Sequence, residues 1–290
     1  LIDLSILMPS FNSEKFINFA LDSIVKQKLV NAEVILIDGL STDNTILIAR
    51  DYAELINIKI ISEPDDGVND AFRKGLKLAQ GKYVCALPST DGYFDPNYLN
   101  SALHELEVDQ DLRAVLAAGA FEIDEESTPL YQVHPWKNKF FQIFSWTHHK
   151  NLASSMGIIL PDMGFVIERE LFYKIMPDES TPLYGTSVTF LGVLKNLYES
   201  NAKFIVLPAI ASYGRHHTGQ WTFHEGNDQS RGIIDFKLKA LVSFFSFKFG
   251  IYSFLLRVFA LFIYLVLMAS NGAIGYYIER IYQKIRKKRV

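Results

Sequence analysis

Leu4-Ser5-Ile6-Leu7-Met8-Pro9-Ser10-Phe11-Asn12, followed a helix length later by Glu33-Val34-Ile35-Leu36-Ile37-Asp38-Gly39, decides the fold. Each is a short apolar run closed by turn residues, the pattern of a strand buried on both faces of a parallel sheet. Between them Ser13 stands as a helix N-cap, and Phe16, Ile17, Ala20, Leu21, Ile24 and Val25 recur at helical spacing. The unit then repeats. Ser41 to Asn44 opens a second helical pattern through Leu55, and Ile58 to Ile61 reads as a third strand. Gly67 to Leu78 reads as a helix stopped by Gly81, and Tyr83 to Leu87 as a fourth strand halted by Pro88. Strands alternating with amphipathic helices require right-handed crossovers, hence an α/β fold with a mainly parallel central sheet flanked by helices.

In such sheets ligands bind beyond the carboxyl ends of the strands. Those ends carry Pro9 to Asn12, Asp38 to Asp43, Glu63 to Asp66 and Ser89 to Asp91. One polar loop is an ordinary solvated turn; four on one edge point to a binding crevice.

The 290 residues are 49% hydrophobic and 21% charged, enough apolar surface to offset chain entropy, which excludes a disordered chain. Cys85 is the single cysteine, so no intramolecular disulfide forms, and no His/Cys cluster has zinc spacing; a reducing compartment fits. A net charge of -3 offers no polycation to a nucleic-acid backbone, so nucleic acid is not an expected partner. No charged n-region precedes an apolar stretch at the N-terminus, so export is not expected.

Beyond Asn97 the pattern is less regular: a helix from Tyr98 to Val108, a strand from Ala114 to Ala118, an aromatic, His-containing stretch from Tyr131 to His149, helices over Arg169 to Ile175 and Val188 to Tyr198, and a strand from Phe204 to Leu207 ending at Pro208. No linker interrupts it, and one domain is expected over residues 1–236. Residues 237–290 form a second segment, rich in Phe, Ile and Leu, with six basic residues between Arg280 and Arg289. Its densest apolar run, Val258 to Ala269, falls short of the about 20 residues that span a bilayer, and extending it meets Arg257 and Lys248. Hydrophobic helices lying on an anionic leaflet, with a basic tail on its headgroups, suit this composition. The alternative is a helix completing a soluble core or an oligomer interface.

The quoted runs, with Ser41-Thr42-Asp43-Asn44-Thr45, Ser62-Glu63-Pro64-Asp65-Asp66-Gly67, Asp70-Ala71-Phe72-Arg73-Lys74-Gly75 and Leu87-Pro88-Ser89-Thr90-Asp91, together resemble the inverting family-2 glycosyltransferases of the GT-A fold, which make bacterial polysaccharides such as O-antigen. The match covers residues 4–99. The resemblance implies that Pro9, Ser10, Phe11 and Asn12 border the nucleotide and that Asp38 accepts a hydrogen bond from a uracil imide. It adds Asp66, Asp70, Lys74, Ser89 and Thr90 to the nucleotide set. Asp91 matches the last acid of the family's metal signature, holding Mg²⁺ or Mn²⁺ against the diphosphate of a nucleotide-diphosphate sugar. A carboxylate would then take the acceptor's proton while attack from the opposite face inverts the anomeric carbon.

Two departures stand out. Thr90 replaces the usual Asp before the metal acid, and the position aligned with the catalytic base falls near Thr186-Ser187-Val188, where no acid is present. The candidates for the base are therefore Asp178, Glu179, His216 and His217, with His217 also a candidate metal ligand; a surface turn with two solvated imidazoles is the alternative for the histidines. The expectation is a membrane-associated transferase at the cytoplasmic face of the bacterial inner membrane, peripheral or monotopic. It would move a sugar from a UDP-sugar to a lipid-linked glycan or polysaccharide acceptor, with homo-oligomers forming through the C-terminal helices. The competing expectation is a catalytically weakened nucleotide-sugar-binding subunit that supports a partner transferase.

Overall fold

The computed structural model describes residues 2–133, 164–176, 193, 196–197 and 200–217. Four strands, β1 (Leu4–Ser10), β2 (Ala32–Asp38), β3 (Ile58–Ser62) and β4 (Tyr83–Ala86), lie in the order β3-β2-β1-β4 and run parallel. Three helices connect them: α1 (Ile17–Val25), α2 (Thr45–Asp51, continued by a 3-10 turn over Tyr52–Glu54) and α3 (Val68–Leu78). Ser10 pairs with Asp38 and Asp38 with Ser62, so three strands end level and their loops leave at one edge.

Both faces of these strands are covered. Leu4, Ile6, Met8, Val34 and Leu36 join a core with α1, α2 and α4 (Tyr98–Val108), while Leu7, Ile35 and Ile37 join a second core with α3 and α5 (Arg169–Ile175). Double burial explains the unbroken apolar runs, because neighbouring residues on one strand face opposite layers and each needs an apolar partner. The chain leaves β1 toward β2 and returns beyond β1 to β4, so β1 and β4 flank a topological switch point, where α/β sheets open a crevice.

The sheet continues past β4 with β8 (Phe165–Glu168), β6 (Leu112–Ile123), β9 (Lys203–Arg215) and β5 (Gly92–Tyr93), while β7 (Pro129–Val133) pairs with β6. This half is mixed: β8 is antiparallel to β4 and β6, β9 is parallel to β6, and β5 is antiparallel to β9. The sheet is thus parallel only in the half where the expected β-α repeats occur. β5, β7 and β8 have no run in the sequence long enough to announce them.

β6 extends well past the expected Ala118. β9 continues through Pro208, where a chain stop was expected, because the β6–β9 register shifts between Ala117 and Gly119 and a bulge absorbs the missing proline N–H. Ser13 does not cap α1 with its side chain; its carbonyl takes the Phe16 and Ile17 N–H groups instead. Of the expected helix over Val188 to Tyr198, only Val193, Asn196 and Leu197 are described, and the stretch from His134 to His149 and residues 237–290 lie outside the described residues. No helix among the described residues is long and apolar enough to cross a membrane.

Gly81 leaves no room for a side chain: a Cβ there would stand 2.6 Å from the Ser5 nitrogen and 2.8 Å from the Leu4 carbonyl carbon. Its N–H also donates to Ser5 Oγ. Gly81→Ala is expected to lower unfolding free energy by about 1–3 kcal/mol, read from urea denaturation.

Candidate active site

At the end of β1, Asn12 adopts φ 45°, a left-handed conformation that Asn tolerates better than most residues. This turn lets its side-chain oxygen accept the Thr42 N–H at 2.9 Å while its own N–H donates to Ser41 Oγ at 2.8 Å. Ser13 N–H donates to Thr45 Oγ1, and Asp43 accepts the Glu14 and Thr45 N–H groups, so the loops after β1 and β2 form one hydrogen-bonded wall. Phe11 stands 63% exposed on it. Ser10 is 6% exposed, and its hydroxyl has no hydrogen-bond partner. A buried unpaired hydroxyl is costly and needs an explanation.

Asp38 also holds the loop that follows β2. It is 0% exposed and its carboxylate accepts Ser41 N–H at 2.9 Å, Ser62 Oγ–H at 2.7 Å and the Ser41 hydroxyl. The carboxylate holds the loop in place through three donors, two on Oδ2 and one on Oδ1. Beside it stands an acid that the sequence reading did not single out. A Cβ on Gly39 would stand 2.8 Å from Asp65 Oδ2, so the glycine is what lets the Asp65 carboxylate lie against the end of β2. Burial raises the Asp65 pKa, outweighing the Gly67 N–H that its Oδ1 accepts and the positive charge of Lys74. Its sequence signals are its place in the Glu63 to Asp66 loop and the small residue after Asp38.

Asp66, Asp70 and Lys74 share the β3–α3 corner. Lys74 Nζ is 3.0 Å from Asp70 Oδ2 and 3.2 Å from Glu63 Oε1 and donates to the Pro64 carbonyl, while Asp66 N–H donates to Asp70. Burial pushes the Asp70 pKa up, but the Lys74 and Asp66 hydrogen bonds prevail and hold it below 3.8. These three residues therefore brace the corner with one another. Ser89 is likewise a latch rather than an open hydroxyl: it is buried, its Oγ donates to Ser13 Oγ at 2.7 Å and its N–H to the Pro9 carbonyl.

On the far side of the switch point, Asp91 closes a turn through its N–H to the Pro88 carbonyl and is 8% exposed. Pairing of Gly92 with Tyr213 brings β9 alongside, so Arg215 N–H donates to Asp91 Oδ1 at 3.1 Å. Thr90 turns its hydroxyl to the same oxygen at 3.2 Å. The His216 N–H donates to the Ile123 carbonyl, and the His217 ring lies 5.0 Å from that of Phe16 at the start of α1. The Arg-His-His run thus belongs to the edge that carries Asp91 and is no detached surface turn. Burial lowers the His217 pKa below 6.5, keeping the ring neutral at pH 7, and the nearby Arg215 charge adds to this against Glu125.

The model of glycosyl transferase family 2 matches residues 5–174. The chain belongs to this family. EpsH of Bacillus subtilis strain 168, named as a glycosyltransferase, is 24% identical over 69% of this chain and 68% of its own length. The chondroitin synthase of Escherichia coli is 29% identical over 46% of this chain, but the match spans only 19% of that enzyme. Among solved structures, S. aureus TarS residues 1–349 with UDP-GlcNAc superposes with a TM-score of 0.61 at 18% identity, covering 89% of this chain and 73% of TarS. The mannosyltransferase PcManGT from Pyrobaculum calidifontis, solved with GDP-Man and Mn²⁺, superposes at 0.55 with 17% identity, covering 98% and 84%. The GT-A fold expected from the sequence is the fold observed.

For a family-2 transferase the site has one notable economy. Among the described residues no group of three or more His, Cys, Asp or Glu side chains gathers into a metal cage, and His217 joins none. Mg²⁺ and Mn²⁺ are commonly held by one or two carboxylates completed by substrate phosphates and water, so Asp91 fits an ion that arrives with a diphosphate. Arg215, given no role in the sequence beside the two histidines, is with Tyr98 among the largest fully buried side chains of the described residues. Asp178, Glu179 and the Thr186-Ser187-Val188 segment lie outside the described residues.

Asp43 makes the crevice wall sensitive to acid. Burial raises its pKa, but the bonds from Thr45 and the Glu14 N–H win and set it below 3.8, so its contribution is present at neutral pH and fades as pH falls through that lowered value. Asp43→Asn is expected to unfold at lower urea than wild type at pH 7, with the gap closing once the pH is taken below 3.8.

Proposed function

We propose that this family-2 transferase moves a sugar from a UDP-sugar to a lipid-linked glycan or polysaccharide acceptor, with inversion, at the cytoplasmic face of a bacterial inner membrane. The observation that carries the nucleotide half of this reading is the level ending of β1, β2 and β3, which sets the exposed Phe11 ring and the Asp65 carboxylate, lying against Gly39, at one edge. A nucleoside offers what that edge lacks: a flat face for Phe11 and an imide or hydroxyl donor for Asp65. The neighbours solved with UDP-GlcNAc and with GDP-Man and Mn²⁺ support a nucleotide sugar as the ligand of this edge.

Bound through Asp91, Mg²⁺ or Mn²⁺ would supply charge stabilisation for the leaving diphosphate. The chain's own residues do the rest. The hydrogen-bonded wall of Asn12, Ser41, Thr42 and Asp43 holds the nucleoside side rigid, so little reorganisation accompanies binding. His217, half-buried and neutral, can accept the proton that the acceptor hydroxyl loses, which leaves that oxygen able to attack the face opposite the departing diphosphate. Asp178 and Glu179 remain the carboxylate candidates for the same task. The apolar and basic segment from 237 to 290 would hold the enzyme where a lipid-linked acceptor lies.

Wild-type protein incubated with a panel of UDP-sugars and Mn²⁺ is expected to release UDP from at least one; binding of UDP without release would instead favour the supporting-subunit reading. Asp91→Ala should fold normally and lose divalent-dependent UDP binding by calorimetry, and retention of that dependence would remove Asp91 from the site. Deleting residues 240–290 should shift the protein from the membrane pellet to the supernatant on sedimentation. A truncated chain that still pellets would place the anchor elsewhere.

A further inference from the structure

Arg215 ends β9 and is 1% exposed, yet it carries a full charge, because a guanidinium does not deprotonate in proteins. Its contacts join three separate pieces of chain. The backbone N–H donates to Asp91 Oδ1 at 3.1 Å and Nε to the Thr90 carbonyl at 3.2 Å, so the main chain holds the Asp91 carboxylate while the side chain holds the peptide group just before it. Nη1 donates to the Asp124 and Glu125 carbonyls, both at 3.0 Å, and to Ser127 Oγ at 3.1 Å, tying in the turn between β6 and β7. The guanidinium carbon lies 4.9 Å from the Phe16 ring, 5.1 Å from Phe19 and 5.8 Å from Tyr213, which docks it on α1. Among the described residues Nη2 has no hydrogen-bond partner. Charge this deeply buried is expensive unless its hydrogen bonds are made, and those the fork makes fix the 90–91 segment against β9 and the 124–127 turn.

We propose that Arg215 is a positioning residue for Asp91, fixing the carboxylate at the crevice edge and thereby setting the affinity for the divalent ion without touching it. The inference rests on the nucleotide-sugar reading above. A lysine keeps the charge but presents one point donor where the fork spans Thr90 and the 124–127 turn together, so Arg215→Lys is not conservative here.

The test measures Mn²⁺ binding to the full chain in the presence of UDP, by loss of the free-ion paramagnetic resonance signal, with melting temperature recorded in parallel. Arg215→Lys and Arg215→Gln are expected to raise half-saturating Mn²⁺ about tenfold, as loss of a partner behind a metal ligand does. At saturating Mn²⁺, kcat should return to within about twofold of wild type. Unchanged half-saturation in folded Arg215 variants overturns the proposal.

If neither Arg215 variant folds, Phe19→Leu removes an exposed ring from beside the guanidinium and leaves its polar contacts. It should raise half-saturation about threefold, and no change would overturn the inference. Wild type that binds UDP but no Mn²⁺ overturns this proposal while leaving the nucleotide reading standing; wild type that binds neither overturns both.

Discussion

Strand β1 has no face open to water and no edge open to another chain. Leu4, Ile6 and Met8 are buried in one layer and Leu7 in the other, with β2 paired on one side and β4 on the other. A strand so placed must satisfy its backbone groups entirely through its two parallel neighbours, and parallel pairing makes all three release their chains at one edge. The position of every loop in the crevice follows from that constraint: Ser10 beside Asp38 by register, and Ser89 within reach of the Pro9 carbonyl.

Crowding several carboxylates at that edge creates an electrostatic problem that the chain meets largely with its own donors. Asp38 accepts from Ser41 and Ser62, Asp43 from Thr45 and the Glu14 N–H, and Asp70 from Lys74 and the Asp66 N–H. These acids hold loops in place. Asp65 differs, with burial pushing its pKa up where those of Asp43 and Asp70 end below 3.8. A carboxyl kept partly dry and incompletely compensated is poised for a ligand, whereas one already saturated is poised for stability. The two types stand within a residue or two of each other, so the distinction lies in hydrogen bonding rather than in residue type.

The first four strands and their helices were legible because each apolar run had to be buried on both faces, a demand that composition alone reveals. The convergence of the four polar loops followed from the right-handed crossovers. β5, with two residues, and β8, with four, gave no such signal, since strands this short derive their stability from partners already in place. β9 was read as ending at Pro208 because a proline breaks a regular ladder; the bulge opposite Ala117 to Gly119 depends on β6 and is invisible along the chain. The family's loop motifs gave no sign that Asp38 and Ser89 also make hydrogen bonds within the protein, to Ser41 and Ser62 and to Ser13, because Ser62 and Ser13 lie far along the chain from them.

The sequence alone determined a β-α-β succession and the gathering of polar loops at the strands' carboxyl ends, since these depend on periodicity and on the handedness that L-residues impose. Which acids remain available to a ligand, that a buried arginine 124 positions away braces Asp91, and that the second half of the sheet is mixed were decided only by tertiary structure. Hydrogen-bond saturation and burial belong to pairs of residues distant in the chain, and no local pattern records which pairs will meet.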